Sequence, residues 1–150
     1  MEKLHASVFI QAPKEKVWHT MLDVSTYEEW TKVFNPTSSF RGDWSKGSKM
    51  FFLGTDENGE NEGGMVSRIV DNRPYEYISI EHLGIFKDGI EDTESEEAKK
   101  WAPSFENYSF IEKDGGTEVV VDQDIEEEHK PQFEKMWVEA LAKVKELAEK

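Results

Sequence analysis

The C-terminal segment constrains the fold of this chain more than any other part of it. From Pro131 onward, apolar residues recur at steps of three, four and one, which is the spacing of one face of an α-helix. Pro131 suits the first turn of such a helix, and the opposite face is charged. The pattern therefore predicts an amphipathic helix of about five turns with one broad apolar stripe to bury. The stripe consists of Phe133, Met136, Trp137, Ala140, Leu141, Val144, Leu147 and Ala148.

Most of the preceding chain has the composition of strands. Residues 3–11 alternate apolar and polar side chains, and later segments rich in aromatic and β-branched residues are separated by turn signals such as "DNRP" and "KDGGT". We expect strands near residues 3–11, 36–42, 48–54, 63–71, 75–86, 105–112 and 117–125. A twisted sheet of this size curls, and only the C-terminal helix is long enough to fill its concave face. The sequence predicts an α+β fold with a seven-stranded, curved antiparallel sheet around that helix.

Two short helices are expected directly after the first strand. Pro13 suits the start of the first helix, in which Val17, Trp18, Met21 and Leu22 share one face. Ser25 and Glu28 have the spacing of a capping box, which predicts the start of the second helix. No repeat or linker interrupts the chain, so residues 1–150 are expected to form a single domain.

Composition and motifs exclude several classes of function. The formal net charge of -14 argues against nucleic acid and anionic membrane as partners, and the absence of cysteine removes thiolate chemistry. No export signal or long apolar run is present, so a cytoplasmic location is expected. The histidines are scattered, and phosphate-binding and dinucleotide fingerprints are absent, so we expect no metal and no cofactor. The acidic segment 54–64, "GTDENGENEGG", lacks the ligand spacing of a calcium loop and is predicted to be a hairpin loop.

Strand parity predicts which side chains face the long helix. The inward set is apolar and aromatic apart from two titratable residues, His82 and Glu106. Three interpretations of this pair remain open. The two residues are solvated at the rim of an ordinary core, or they orient an apolar ligand in a cavity, or His82 acts as a general base beside the carboxylate.

The segment 86–110 changes from acidic to aromatic. Thr93 and Glu96 have capping-box spacing, and the acidic first turn and basic last turn suit a short helix that ends before Pro103. Trp101 closes this helix as a large apolar anchor. We interpret residues 87–104 as a mobile lid over a cavity, with an acidic docking surface as the alternative.

The chain resembles the helix-grip superfamily, and within it the bacterial branch named after the activator of the heat-shock ninety ATPase. The resemblance rests on "APKEKVWHTMLDVSTYEEWT", "GDWSKGSKMFF", "ENYSF" followed by "DGGTEV", and "MWVEALAKVKELAE". It implies a helix-grip (START-like) domain that binds a small apolar or amphipathic molecule between the sheet and the C-terminal helix. The alternatives are a co-chaperone that binds a chaperone partner, or a cyclase or hydrolase that uses His82 and Glu106. The expected ligand-binding residues are Met50, Phe52, Met65, Ile78, Ile80, His82, Trp101, Glu106, Tyr108, Phe110, Phe133, Met136 and Trp137.

Overall fold

A computed structural model describes residues 1–56 and 58–150 of the chain. The strands are β1 (Glu2–Ile10), β2 (Ser39–Arg41), β3 (Lys49–Thr55), β4 (Glu62–Arg73), β5 (Tyr77–Lys87), β6 (Ile90–Asp92), β7 (Ser104–Lys113) and β8 (Gly116–Ile125). The helices are α1 (Lys14–Leu22), α2 (Val24–Trp30), α3 (Glu96–Trp101) and α4 (Lys130–Ala148), and short 3-10 turns follow α2 and precede α4. No helix in these described ranges is long and apolar enough to cross a membrane.

The strands form one antiparallel sheet in the order β1-β8-β7-β5-β4-β3-β2. Each of the seven predicted strands is present within a few residues of its expected bounds, so the predicted helix-grip architecture is confirmed. The short strand β6 was not predicted and pairs with the end of β5. The register of β4 against β5 shifts between Val66 and Ser67 and again after Ile69, which marks two irregularities in the longest strand pair.

Helix α4 lies against the sheet through the predicted apolar stripe. Trp137, Ala140, Leu141, Val144 and Ala148 are buried, whereas the charged face is exposed. The packing follows from the 3.6-residue period, which places these side chains on one side of the helix. The core of the domain therefore lies between the concave face of the sheet and α4, with α1 and α2 at one end.

Two predicted helix starts are corrected by the structure. Helix α2 begins at Val24 and its N-cap residue is Asp23, so Ser25 lies inside the helix. Helix α3 begins at Glu96, and the cap is the Ser95 side chain, which accepts a hydrogen bond from the amide of Ala98 at 3.0 Å. Both sequences offer several capping residues in succession, and spacing alone did not identify the one that the chain uses.

The segment between β5 and β7 is attached to the sheet at two points. Strand β6 pairs with Ile85–Lys87, and Ala98 of α3 is fully buried. Gly84 permits the close approach of β6, because a Cβ atom at this position would lie 2.2 Å from the carbonyl oxygen of Asp92. The predicted lid is therefore held at its start by β6 and within α3 by the buried Ala98.

The end of α4 also contacts the outermost strand of the sheet. The Lys145 ammonium donates a hydrogen bond to the carbonyl oxygen of Phe9 at 3.0 Å, and the Glu149 carboxylate accepts one from the amide of Gln11 at 2.9 Å. Lys145 and Glu149 also form an ion pair at 2.6 Å. The last two turns of α4 are thus fastened to the end of β1.

The predicted hairpin loop at residues 54–64 joins β3 to β4, and Glu57 in this loop lies outside the described residues. Asp56 organises the described part of the loop. Its carboxylate accepts hydrogen bonds from the Asn61 side chain and from the amides of Asn58 and Glu60. These bonds hold the pKa of Asp56 below its ordinary value.

Candidate functional site

A cavity of about 220 Å³ lies between the concave face of the sheet and helices α2 and α4. Its wall is largely aromatic, and it contains one buried group of polar side chains. At its outer end, Met1, Lys100 and Glu126 also line an open surface depression. The aromatic lining residues are Tyr27, Trp30, Phe34, Phe52, Trp101, Tyr108, Phe133 and Trp137.

The polar side chains form a continuous hydrogen-bonded network. The Ser67 hydroxyl lies 2.7 Å from Nδ1 of His82, and Nε2 of His82 lies 3.2 Å from Oε1 of Glu106. The Tyr108 hydroxyl donates to Oε2 of the same carboxylate. Because a carboxylate can only accept, the hydrogen between His82 and Glu106 is on Nε2 of the imidazole. Both oxygens of Glu106 therefore have donors, and both nitrogens of His82 have partners.

Sheet register explains why these four residues meet. Ser67 on β4 lies directly opposite His82 on β5, and His82 in turn lies opposite Ser104 on β7. Glu106 is two residues beyond Ser104, so it shares the inward face and lies diagonally from His82, within reach of a long side chain. The same two-residue period places Tyr108 next to Glu106.

The negative charge of Glu106 affects the two tyrosines of the cavity. Burial, together with the charge of Glu106, raises the pKa of Tyr108 well above its ordinary value. Burial and the same charge also raise the pKa of Tyr27 far above the ordinary range. Both phenols therefore keep their protons at neutral pH, and Tyr108 remains a hydrogen-bond donor to the carboxylate.

The structure brings eight of the thirteen predicted binding residues to the cavity wall. These are Phe52, Met65, His82, Trp101, Glu106, Tyr108, Phe133 and Trp137. The other five do not line it. Met50, Ile78, Ile80 and Phe110 are buried in the core, and Met136 is half-buried on α4. Phe110 packs instead against Trp18 of α1, with ring centroids 5.2 Å apart. Strand parity assigns a residue to a face but does not say whether a helix covers it there.

The sequence analysis did not identify the cavity residues of α2 or the contact between Ser67 and His82. Tyr27 and Trp30 are one helical turn apart on α2 and both face the cavity. Their spacing in "TYEEW" is the signal that identifies them, since residues at i and i+3 share a helical face. The alternation of β4 predicts that Ser67 faces inward, but its contact with His82 depends on the register of two strands, which a single sequence does not specify.

Trp101, which lines the cavity, belongs to a stacked pair of rings. Trp101 at the end of α3 lies parallel to His129, with ring centroids 5.0 Å apart and an interplanar angle of 17°. His129 also belongs, with Glu126 and Glu128, to a group whose possible metal-ligating atoms lie within 4.8 Å of one another. Carboxylates on an exposed turn commonly cluster in this way without binding an ion, so this group alone does not define a metal site.

Comparison with solved structures supports the fold. The chain is similar to DynU16, encoded in the dynemicin biosynthetic locus, with 11% identity and a TM-score of 0.68 over 97% of this chain and 46% of that one. It is also similar to CalU16 from Micromonospora echinospora, with 14% identity and a TM-score of 0.67 over 97% of this chain and 75% of that one. A third similar structure is the Aha1 dimer from Colwellia psychrerythraea, with 14% identity and a TM-score of 0.69 over 99% of this chain and 97% of that one. At these identities the likeness establishes the fold alone.

Comparison with family models identifies the group to which this sequence belongs. No curated protein matches the chain significantly. The model described as activator of Hsp90 ATPase homolog 1-like protein, by contrast, matches residues 11–149. This range covers almost the whole chain, from the end of β1 to the end of α4. The chain therefore belongs to the family of activator of Hsp90 ATPase homolog 1-like proteins.

Proposed function

We propose that the protein binds a small, largely apolar molecule in the cavity between the sheet and helices α2 and α4. The observation that supports this most directly is a cavity of about 220 Å³ with an aromatic wall and one partly buried, hydrogen-bonded carboxylate. Sites for small molecules combine such an apolar wall with a few fixed polar groups that orient the ligand. Here the rings supply apolar contact area, and the Glu106 carboxylate fixes the orientation of the ligand.

The cavity volume limits the size of the ligand. An apolar cavity of about 150 Å³ accommodates benzene. A cavity of about 220 Å³ therefore suits one ring with a short substituent, and is smaller than the usual range for drug-sized ligands, which begins at about 300 Å³. A larger ligand requires side chains of the wall to move, and Trp101, which stacks on His129, is one of these side chains.

The hydrogen bonds of the network count against the cyclase or hydrolase alternative. Nε2 of His82 is bonded to Glu106 and Nδ1 to the Ser67 hydroxyl, so the proton that His82 is placed to accept is that of Ser67. Ser67 has no exposed surface and does not line the cavity, so its hydroxyl is not placed to attack a bound molecule. The arrangement favours a binding role, in which the network holds Glu106 in one orientation.

A co-chaperone role is the second candidate, and the family description favours it. It predicts that the chain stimulates the ATPase of a bacterial Hsp90 chaperone. An ATPase assay with increasing amounts of the chain measures this directly. No stimulation at high micromolar concentration, with a known activator as the positive control, would reject this candidate.

The binding proposal is tested with two methionine variants. Met65 lines the cavity, whereas Met136 is also half-buried but lies outside it. A panel of single-ring compounds is screened against the protein by ligand-observed NMR, and Kd is measured for each hit. Met65→Trp should fill the cavity and abolish binding of the hits, and Met136→Trp should leave Kd unchanged. The proposal fails if no compound binds, or if Met65→Trp binds the hits as tightly as the original protein.

A further inference from the structure

The partly buried carboxylate of Glu106 faces no lysine or arginine among the residues that the structure describes. Its side chain is 15% exposed, and within the part of the chain that the structure describes its one ion-pairing partner is His82, at 3.2 Å. The other donor to the carboxylate is the neutral Tyr108 phenol. A carboxylate taken out of water is stabilised chiefly by a close opposite charge and by hydrogen bonds. The cavity thus offers a negative charge for which a cation from outside is a favourable partner.

Several hydrogen-bond donors around the inner cavity are engaged within the protein. The indole of Trp30 donates to the carbonyl oxygen of Met21 at 3.1 Å, and the indole of Trp137 donates to Oε1 of Gln123 at 2.7 Å. The Ser104 hydroxyl donates to the carbonyl oxygen of Trp101 at 2.6 Å. The Glu106 oxygens, by contrast, each accept one bond and retain a further lone pair. A ligand therefore meets an acceptor in the inner cavity and should carry a donor.

The aromatic rings present their faces and edges close to this charge. Trp137 lies against Tyr108 with centroids 6.0 Å apart, and Phe52 lies against His82 at 5.9 Å. Trp30 and Trp137 line the cavity and their N–H groups are engaged elsewhere, so a ligand contacts the carbon atoms of these rings. A π surface attracts a cation, and the attraction increases when the cation is removed from water. The combination of a carboxylate and several rings is the arrangement that binds organic ammonium groups.

We propose that the cavity ligand is a small organic cation, an ammonium compound of about one ring in size. Its positive charge contacts Glu106, and its apolar part packs against the aromatic wall. This inference rests on the proposed binding function and specifies its ligand class. Of the other charged side chains that line the cavity, Asp124 is paired with Lys3, while Glu126 and Lys100 contribute one charge of each sign. With a net charge of -14 for the whole chain, the field favours entry of cations and disfavours carboxylate ligands.

Three probes of one shape test the charge preference: benzylammonium, benzyl alcohol and benzoate, each titrated by calorimetry at neutral pH. We expect benzylammonium to bind at least about tenfold more tightly than benzoate, because a charge-assisted hydrogen bond replaces a repulsion. Benzyl alcohol should lie between the two. Glu106→Gln should weaken benzylammonium about tenfold and leave benzyl alcohol within about threefold. Glu112→Gln, the same change at an exposed position of β7, is the control and should alter neither Kd.

The outcomes separate this inference from the proposed function. If benzyl alcohol or benzoate binds as tightly as benzylammonium, the cation preference is wrong and the binding function stands. If none of the three binds and the wider panel also gives no hit, both are wrong. The ranking is measured on the unaltered protein, so the test remains decisive even if Glu106→Gln does not fold. Where that variant does fold, an unchanged Kd for benzylammonium would also overturn the assignment of Glu106.

Discussion

Replacing Trp137 by alanine tests whether α4 holds the domain together as the structure indicates. The ring is 2% exposed and packs against Trp30, Phe34 and Tyr108, with centroid distances of 5.8, 5.0 and 6.0 Å. Removing a large buried ring typically costs about 3–5 kcal/mol. Because one side of Trp137 already borders the cavity, its packing loss should lie near the lower end, at about 3 kcal/mol.

The variant also loses the hydrogen bond to Gln123, which contributes up to about 1 kcal/mol. The expected total is about 3–4 kcal/mol, which corresponds to a fall in Tm of about 10 °C for a chain of this length. Urea denaturation followed by circular dichroism measures the loss, with the m value checked for two-state unfolding. Leu141→Ala, at a buried position away from the cavity, should cost about 2–5 kcal/mol. If Trp137→Ala changes the free energy of unfolding by less than about 1 kcal/mol, α4 does not dock through this stripe.

The remaining predictions concern the segment over the cavity. Trp101→Ala should cost less than about 1 kcal/mol, because the ring is half-exposed, but should weaken ligand binding. Hydrogen exchange over residues 87–104 should slow when a ligand binds; equal protection with and without ligand would identify a fixed connection. Gly84→Ala should speed exchange in β6, since the new methyl group displaces that strand. Hydrogen bonds from Ser95 and Glu94 hold the pKa of Asp92 below its ordinary value. These bonds therefore stabilise the start of α3 fully above about pH 4, and the stabilisation is lost as the pH falls further and the carboxylate is protonated. Amide NMR shifts of the two donors report this loss, and Asp92→Asn should make them independent of pH in that range.

The architecture was predictable because two periods in the sequence are long and clear. The stripe on α4 and the alternation in the strands predicted a sheet around a helix, and the structure has that arrangement. The exception, β6, is three residues long, which is too short for an alternation to be recognised. Its presence depends on Gly84 and on the bend that follows β5, which are features of tertiary structure.

The site was predictable in outline and not in detail. Strand parity correctly placed His82 and Glu106 on one face, and the structure shows them in contact. Parity did not specify the partners of His82, because the position of Ser67 depends on the irregular register of β4. Nor did it indicate that α1 covers Phe110, since the direction of a helix across a sheet is set by packing between distant segments.

The attachment of α4 to β1 bears on the solubility of the protein. An outer strand with free backbone groups is a template for pairing with a second chain, and β1, at nine residues, is much longer than β2 at the opposite edge. The Lys145 ammonium bonds to the carbonyl oxygen of Phe9, and the Glu149 carboxylate bonds to the amide of Gln11, so the helix that borders the cavity also covers the C-terminal end of this edge. Any change that releases α4 therefore exposes a strand edge together with an apolar face, and aggregation should accompany loss of the fold.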